Sequence, residues 1–406
     1  MLKSLQYSLD DRVKVRCWNP QFQSLAHEGP LQQSKITQLC LRGHPRTCCP
    51  TYFQLDPILL CSPNLQYLNV SNEWACHMND DFFDTLLEMC PMVQSIICFQ
   101  PTAAPPRSLL FKEKRCHQGG GLREFGFYRH WGSHADSISR VVTKHQHNLQ
   151  HLVLDSRNFV WIADDVDDDV IKRRIRTTDA WIQNIKTPRL TDLECIDVDV
   201  SGPILHQWLL NSTALERVAL GGKQLTVDAF DALGDLPHLR HLHLIESYAS
   251  PPPDTSLLPY ISLLDNLQSL SLDCASFVTD KTLPAIASLP NLRALEINQW
   301  RVSESGIIQF VNGLKEASVV SRLKLQGIGS LNERVLSMLG NVVSLTELTI
   351  IGSIVNAAGM RIFIDKKKQV IKSLRVYSSK QQQSKDCGGC IRHGTVHLGD
   401  RFEWVY

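Results

Sequence analysis

Cys387, Cys390, His393 and His397 are the first residues to ask about chemistry, because two thiols and two imidazoles can complete a tetrahedral zinc site. Their spacing argues against it. Zinc sites draw on two well-separated ligand pairs, and only two residues lie between Cys390 and His393, too little chain to wrap an ion. An ordinary Gly-rich turn is expected there rather than a metal or redox site. His241 and His243 alternate with leucines, so both leave the same face of one strand, with His151, Asp192, Glu194 and Arg217 on neighbouring strands. Strands lie about 4.8 Å apart, so a metal would need ligands on adjacent rungs at one height. Ala219 and Ser271 flank His243 at its own height, and a polar recognition surface is the better reading. Asp164–Asp169 lacks the Gly bend and terminal Glu of a calcium loop; with the basic run Lys172–Arg176 behind it, it reads as a self-paired charged loop. Gly119–Gly121 precedes a strand rather than leading from one into a helix, so it is a turn and not a phosphate cradle. No nucleophile elbow, paired metal motif or kinase-like set occurs, and the chain is expected to be non-enzymatic, with no cofactor and no metal.

The elements that carry these residues follow one pattern: an apolar residue, two variable ones, an apolar residue, a variable one and a third apolar residue. It stands at Leu65–Val70, Leu149–Leu154, Leu215–Leu220, Leu239–Leu244, Leu267–Leu272, Leu292–Ile297, Leu345–Ile350 and Ile371–Val376. Weaker copies fill Ile36–Leu41, Val93–Cys98, Leu122–Phe127, Leu190–Cys195 and Val320–Leu325. This is the leucine-rich-repeat signal. One copy cannot bury its apolar edge alone, so stacked copies share a core. Most steps between copies run from 24 to 29 residues, longer than a strand and a tight turn require. The return segments have helical periodicity at Asp80–Met89, Ala135–Lys144, Ile204–Leu210, Val227–Leu233, Lys281–Ala287, Ser305–Leu314 and Asn332–Leu339. Thr279 or Asp280, and Ser303, stand where N-caps belong. The expectation is an α/β leucine-rich-repeat solenoid, a horseshoe of about 13 to 14 repeats with parallel inner strands and outer helices.

Residues 1–378 are assigned to this solenoid and 379–406 to a polar linker and a C-terminal tail or cap with a small closing hairpin. The step from Leu149 to Leu190 is 41 residues, which places a solvated insertion at about 156–180; Pro251–Pro253 marks a second irregularity. Leu2–Tyr7 already matches the strand pattern, so the chain is expected to begin inside a repeat, with its cap missing and a longer protein upstream.

Net charge is +1, and nothing global draws the chain to nucleic acid or an anionic membrane. No stretch approaches the roughly 20 apolar residues of a bilayer span, and the first residues lack a signal peptide's design. The expected place is the cytoplasm or nucleus. Thirteen cysteines without a spacing rule, with Cys98 and Cys195 at core positions, read as small buried hydrophobes in a reducing compartment.

The variable positions between the leucines form the concave face. They run from Tyr67, Phe99 and Tyr128 through His151, Glu194, Arg217, His241 and His243 to Glu296, Arg322, Lys324, Arg375 and Tyr377. Aromatics mark one end, acids and histidines the middle, and bases with Tyr377 the other end. A wide, graded surface suits a protein substrate, with Tyr and Arg as anchors.

Leu267–Cys274, Val278–Leu283 and Leu289–Ile297 resemble the repeats of the F-box/leucine-rich-repeat family, especially its fungal members. The resemblance implies that the repeats hold a protein substrate for ubiquitination, while an N-terminal F-box docks to the adaptor of an SCF (cullin) ubiquitin ligase. No Leu-Pro-rich F-box is visible in this sequence, so the adaptor is expected as a partner only if an F-box lies upstream. The alternative is a free-standing scaffold or an inhibitor of an enzyme, similar to ribonuclease inhibitor and independent of ubiquitin.

Overall fold

Alternation of apolar and variable residues gives each strand one dry face, and parallel stacking in register collects those faces into continuous rows. The computed structural model describes residues 12–15, 37–41, 63–71, 82–99, 121–128, 135–155, 176–246, 258–273, 278–298, 302–317, 319–327, 330–377 and 393–396. The chain divides into two units, Met1–Ala214 and Leu215–Tyr406.

In the first unit, strands β1 (Arg12–Val15), β2 (Gln38–Leu41), β3 (Tyr67–Ser71), β4 (Ser95–Phe99), β5 (Glu124–Tyr128), β6 (His151–Asp155) and β7 (Asp192–Ile196) follow in sequence order. Each is parallel to the next. The register stacks Leu68, Ile96, Phe125, Leu152 and Leu193 in one row, and Val70, Cys98, Phe127, Leu154 and Cys195 in another, all buried. Helices α1 (Phe82–Met89), α2 (Ala135–His145) and α3 (Gly202–Asn211) return the chain between strands. Phe83 of α1 meets Phe125 and Phe127 edge-on at centroid distances of 5.5 and 6.3 Å, which fixes that helix over the sheet. Beneath α3 the Trp208 indole donates to Thr187 Oγ1, and Thr187 and Ser212 hydroxyls bond at 2.7 Å, so the buried polar atoms satisfy one another.

Residues 176–182 are helical, with Thr178, Trp181 and Ile182 buried. The insertion expected at about 156–180 overlaps this helix at residues 176–180, and its other residues lie outside the described ones. Thr178, Trp181 and Ile182 give that helix the buried stripe that a returning helix needs. Asp164–Asp169 lies outside the described residues, as do Lys172–Ile175, Pro251–Pro253, Leu2–Tyr7, Gly119, Gly120, Cys387, Cys390 and His397.

The second unit holds β8 (Arg217–Gly221), β9 (His241–Ile245), β10 (Ser269–Asp273), β11 (Ala294–Asn298), β12 (Arg322–Gln326), β13 (Ser330–Leu331), β14 (Glu347–Ile351), β15 (Ile354–Val355), β16 (Ser373–Tyr377) and β17 (His393–Val396). Its main ladder runs β8-β9-β10-β11-β12-β14-β16, all parallel, and β17 then pairs antiparallel with β16. Strands β13 and β15 form a separate parallel pair. The helices are α4 (Val227–Gly234), α5 (Leu258–Ile261), α6 (Thr282–Ala287), α7 (Glu304–Ala317), α8 (Glu333–Leu339) and α9 (Ala357–Lys367). Val218, Leu242, Leu270, Leu295, Leu323, Leu348 and Leu374 make one buried row; Leu220, Leu244, Leu272, Ile297, Leu325, Ile350 and Val376 make the next. Each unit is an α/β leucine-rich-repeat solenoid, and among the described residues each has seven parallel main-ladder strands.

Polar side chains start the helices. Thr226, Asn332 and Asn356 accept from the amides of Ala229, Val335 and Gly359. Thr279 and Thr282 accept from each other's amides at the start of α6, while Asp280 accepts from the Ser303 amide and hydroxyl. Ser303 in turn accepts from the Gly306 amide, so one repeat's cap braces the next. The residue after a strand takes the left-handed region at Asp197 (φ 53°), Gly222 (64°), Gly327 (71°) and Gly352 (67°). This turns the chain outward while the amides of Gly327 and Gly352 still donate to Ile351 and Tyr377 carbonyls on the next strand.

Candidate recognition face

In the second unit the outward side chains fall into three rows. Arg217, His241, Ser269, Ala294, Arg322, Glu347 and Ser373 form the first, and Ala219, His243, Ser271, Glu296, Lys324, Thr349 and Arg375 the second. The third includes Asp273, Asn298, Gln326 and Tyr377 at its far end. Arg217, His241, Arg322 and Arg375 are exposed, His243 is half-buried, and Tyr377 is 38% exposed. Ala219 and Ser271 flank His243 at its own height, as expected.

The basic end is smaller than a count of its residues suggests. Lys324 donates to Glu296, its direct neighbour on the adjacent strand, so the two charges largely cancel. Arg322 and Arg375 have no partner among the described residues. Asn298 carries a buried Oδ1 without a hydrogen bond, flanked in its row by Asp273 and Gln326.

The first unit differs. Its first outward row sets Glu124, His151 and Asp192 on consecutive rungs. His151 Nδ1 lies 3.2 Å from Asp192 Oδ2, which also accepts from the Thr191 hydroxyl, while Glu124 Oε2 is buried without a partner. The second row is Asn69, Ile97, Gly126, Val153 and Glu194. Ile97, Val153, Asp155 and Glu194 are at most 6% exposed. Glu194 is therefore not an open contact residue, which corrects its expected place on an accessible surface. The physical reason is that β4, β6 and β7 are apolar or buried on both faces, the pattern of a sheet covered on each side, whereas strands of the second unit alternate. Tyr67 opens β3 half-buried; Phe99 and Tyr128 close β4 and β5.

Three described cysteines, Cys90, Cys98 and Cys195, are buried and held in no disulfide. Burial pushes the Cys90 thiol up to about 11 and Cys98 up to about 12. Cys195 is raised by burial first and then by the carboxylates of Asp155, Asp197 and Glu194. Thiols held in this way are packing atoms rather than nucleophiles. Burial and the Lys144 charge pull the His145 imidazole below its ordinary value, which keeps it neutral at the end of α2. No group of three or more His, Cys, Asp or Glu side chains is arranged to hold a metal among the described residues. No helix among them is long and apolar enough to cross a membrane.

No family model matches the chain, and no curated protein matches it in sequence. Among solved structures it is similar to a TLR13–ssRNA13 complex, at 14% identity and a TM-score of 0.37, over 85% of this chain and 50% of that one. The chain thus spans about half the length of that protein.

Proposed function

We propose that this chain is a non-enzymatic recognition solenoid that holds a protein partner on the outward face of its second unit. The observation that carries the reading is the set Arg322, Arg375 and Tyr377, open to solvent on a rigid in-register ladder, with His241 and Arg217 on the same face. Arg and Tyr are the side chains that anchor protein interfaces, and a strand ladder fixes their backbone in advance, so only their side chains remain to be ordered. Residues His243 and Glu296, with Lys324, supply a polar surround that fixes register.

Within that reading the partner is a substrate presented for ubiquitination, and the chain is the substrate-binding part of an F-box-type SCF receptor in the cytoplasm or nucleus. Support comes from the resemblance of Leu267–Ile297 to the repeats of that family. The test is affinity purification of the native full-length protein from its source. Copurification of the cullin adaptor, retained when Arg322 and Arg375 are reversed to Glu, supports the receptor. Partner capture without adaptor shifts the function to a scaffold or an enzyme inhibitor.

A further inference from the structure

Of the exposed large apolar residues described in the second unit, Val227 starts α4 and Tyr377 ends β16, while the other four share one kind of place. Leu263, Val319, Val343 and Val370 are 53, 44, 83 and 44% exposed, and all four lie in turns that lead from a helix into a strand. These turns share one edge of the ladder. Val319, Val343 and Val370 precede β12, β14 and β16, which are consecutive and in register. The amides of Thr346 and Lys372 donate to the Ser321 and Thr346 carbonyls, so the register continues back towards the turns. Tips carried on level rungs make a flat edge.

Four exposed lysines lie along it. Lys315 ends α7 beside Val319, and Lys366, Lys368 and Lys372 bracket Val370. Lys315, Lys368 and Lys372 are exposed and without a partner among the described residues, while Lys366 donates to the Ser337 carbonyl and hydroxyl. Asp365 and half-buried Glu347 stand against them, with Glu316 next in sequence to Lys315. The valine at the centre is held firmly. Lys367, 2% exposed, sends its ammonium beneath the turn to the carbonyls of Val342 and Val343.

We propose that this edge, Val319, Val343 and Val370 with Lys315, Lys368 and Lys372, docks onto an anionic lipid bilayer. Valine and lysine are poor anchors for proteins, and lysine is depleted from protein interfaces. Against a lipid surface the same pair works well: each lysine gains from the surface potential while its stem lies along the apolar boundary and the valines dip into it. A net charge of +1 for the whole chain conceals this local arrangement. The inference is independent of the protein-recognition reading, which uses the outward strand face.

The experiment is sedimentation of the full chain with phosphatidylcholine vesicles, with and without about 30% phosphatidylserine. The wild type is expected to pellet with the anionic vesicles and to be released by high salt. Lys368→Glu with Lys372→Glu should lower partitioning at least about thirtyfold, from roughly 1 kcal/mol per lysine. Val343→Asp should also lower partitioning, with an unchanged melting curve, since that side chain is 83% exposed. A wild type that stays in the supernatant, or binding that survives both variants or needs no phosphatidylserine, overturns the proposal. Failure to bind vesicles combined with loss of a captured protein in the valine variant assigns the edge to a protein and overturns it equally.

Discussion

Gly359→Ala should destabilise the protein although it places alanine in a helix. Gly359 is buried in the first turn of α9, where its amide donates to Asn356 Oδ1 at 2.8 Å. Replacing glycine by alanine in a helix gains up to about 1 kcal/mol from backbone entropy. A Cβ built there would meet Glu333 Cα at 2.6 Å, Leu336 Cδ1 at 3.0 Å and Glu333 N at 3.3 Å. Carbon atoms pack at about 3.5 to 4.0 Å, so the closest contact is short by about 1 Å, and its partner is the backbone of α8, which cannot rotate aside. Helices α8 and α9 must therefore part locally. Overpacking costs about 1 to 3 kcal/mol, and against a backbone that cannot move aside the upper part, about 2 to 3 kcal/mol, applies, which leaves a net loss of about 1 to 2 kcal/mol after the helical gain. Urea unfolding followed by far-ultraviolet circular dichroism should show a lower midpoint at unchanged slope. A variant as stable as the wild type, or more so, would refute the claim that glycine sets the spacing of these two helices.

Gly352→Ala isolates a different cost, because its only near neighbour would be Gly327 N at 3.9 Å and the strain comes from φ of 67° alone; a midpoint shift equivalent to about 1 to 2 kcal/mol is expected. Burial holds Lys367 below its ordinary 10.5. Between that lowered value and 10.5 the unfolded chain binds more protons than the folded one, so wild-type stability should rise with pH there, and Lys367→Met should lack that rise in parallel urea titrations. Cys90, Cys98 and Cys195 should resist a thiol-specific reagent in the folded protein and react on unfolding, with modified sites read by mass spectrometry; prompt labelling of Cys195 in the native state would contradict its buried, carboxylate-flanked setting.

Strand positions were legible because the leucine rows obey a period of two, and weak copies such as Val93–Cys98 and Leu190–Cys195 became strands as readily as strong ones. Helix α9 escaped because Lys367 occupies a core position in its stripe of Gly359, Met360 and Phe363, and its charge hides the helical period. Strand β1 escaped because Arg12–Val15 lacks the leading leucine. On the candidate face, which residues share a row followed from the repeat, but which are open did not. Glu194 looks like any other variable position, and only its neighbours Ile97 and Val153 signal that this stretch is dry. The cancellation of Lys324 by Glu296 depends on lateral pairing between copies 28 residues apart, which a reading along the chain does not display. The apolar edge was invisible for a similar reason, since its valines follow no motif until the rungs are aligned.

The central claim is that the second unit's outward face is where a protein partner binds. Quantitative affinity capture from the source cell should compare the wild type with two variants of equal stability. One carries Arg322→Glu and Arg375→Glu on the face; the other carries Arg334→Glu and Arg361→Glu on the exposed sides of α8 and α9. Loss of the same partner by tenfold or more, expected from removing anchors worth about 1.4 kcal/mol or more, should occur only in the face variant. Equal recovery with the face variant, or equal loss with the helix variant, would contradict it.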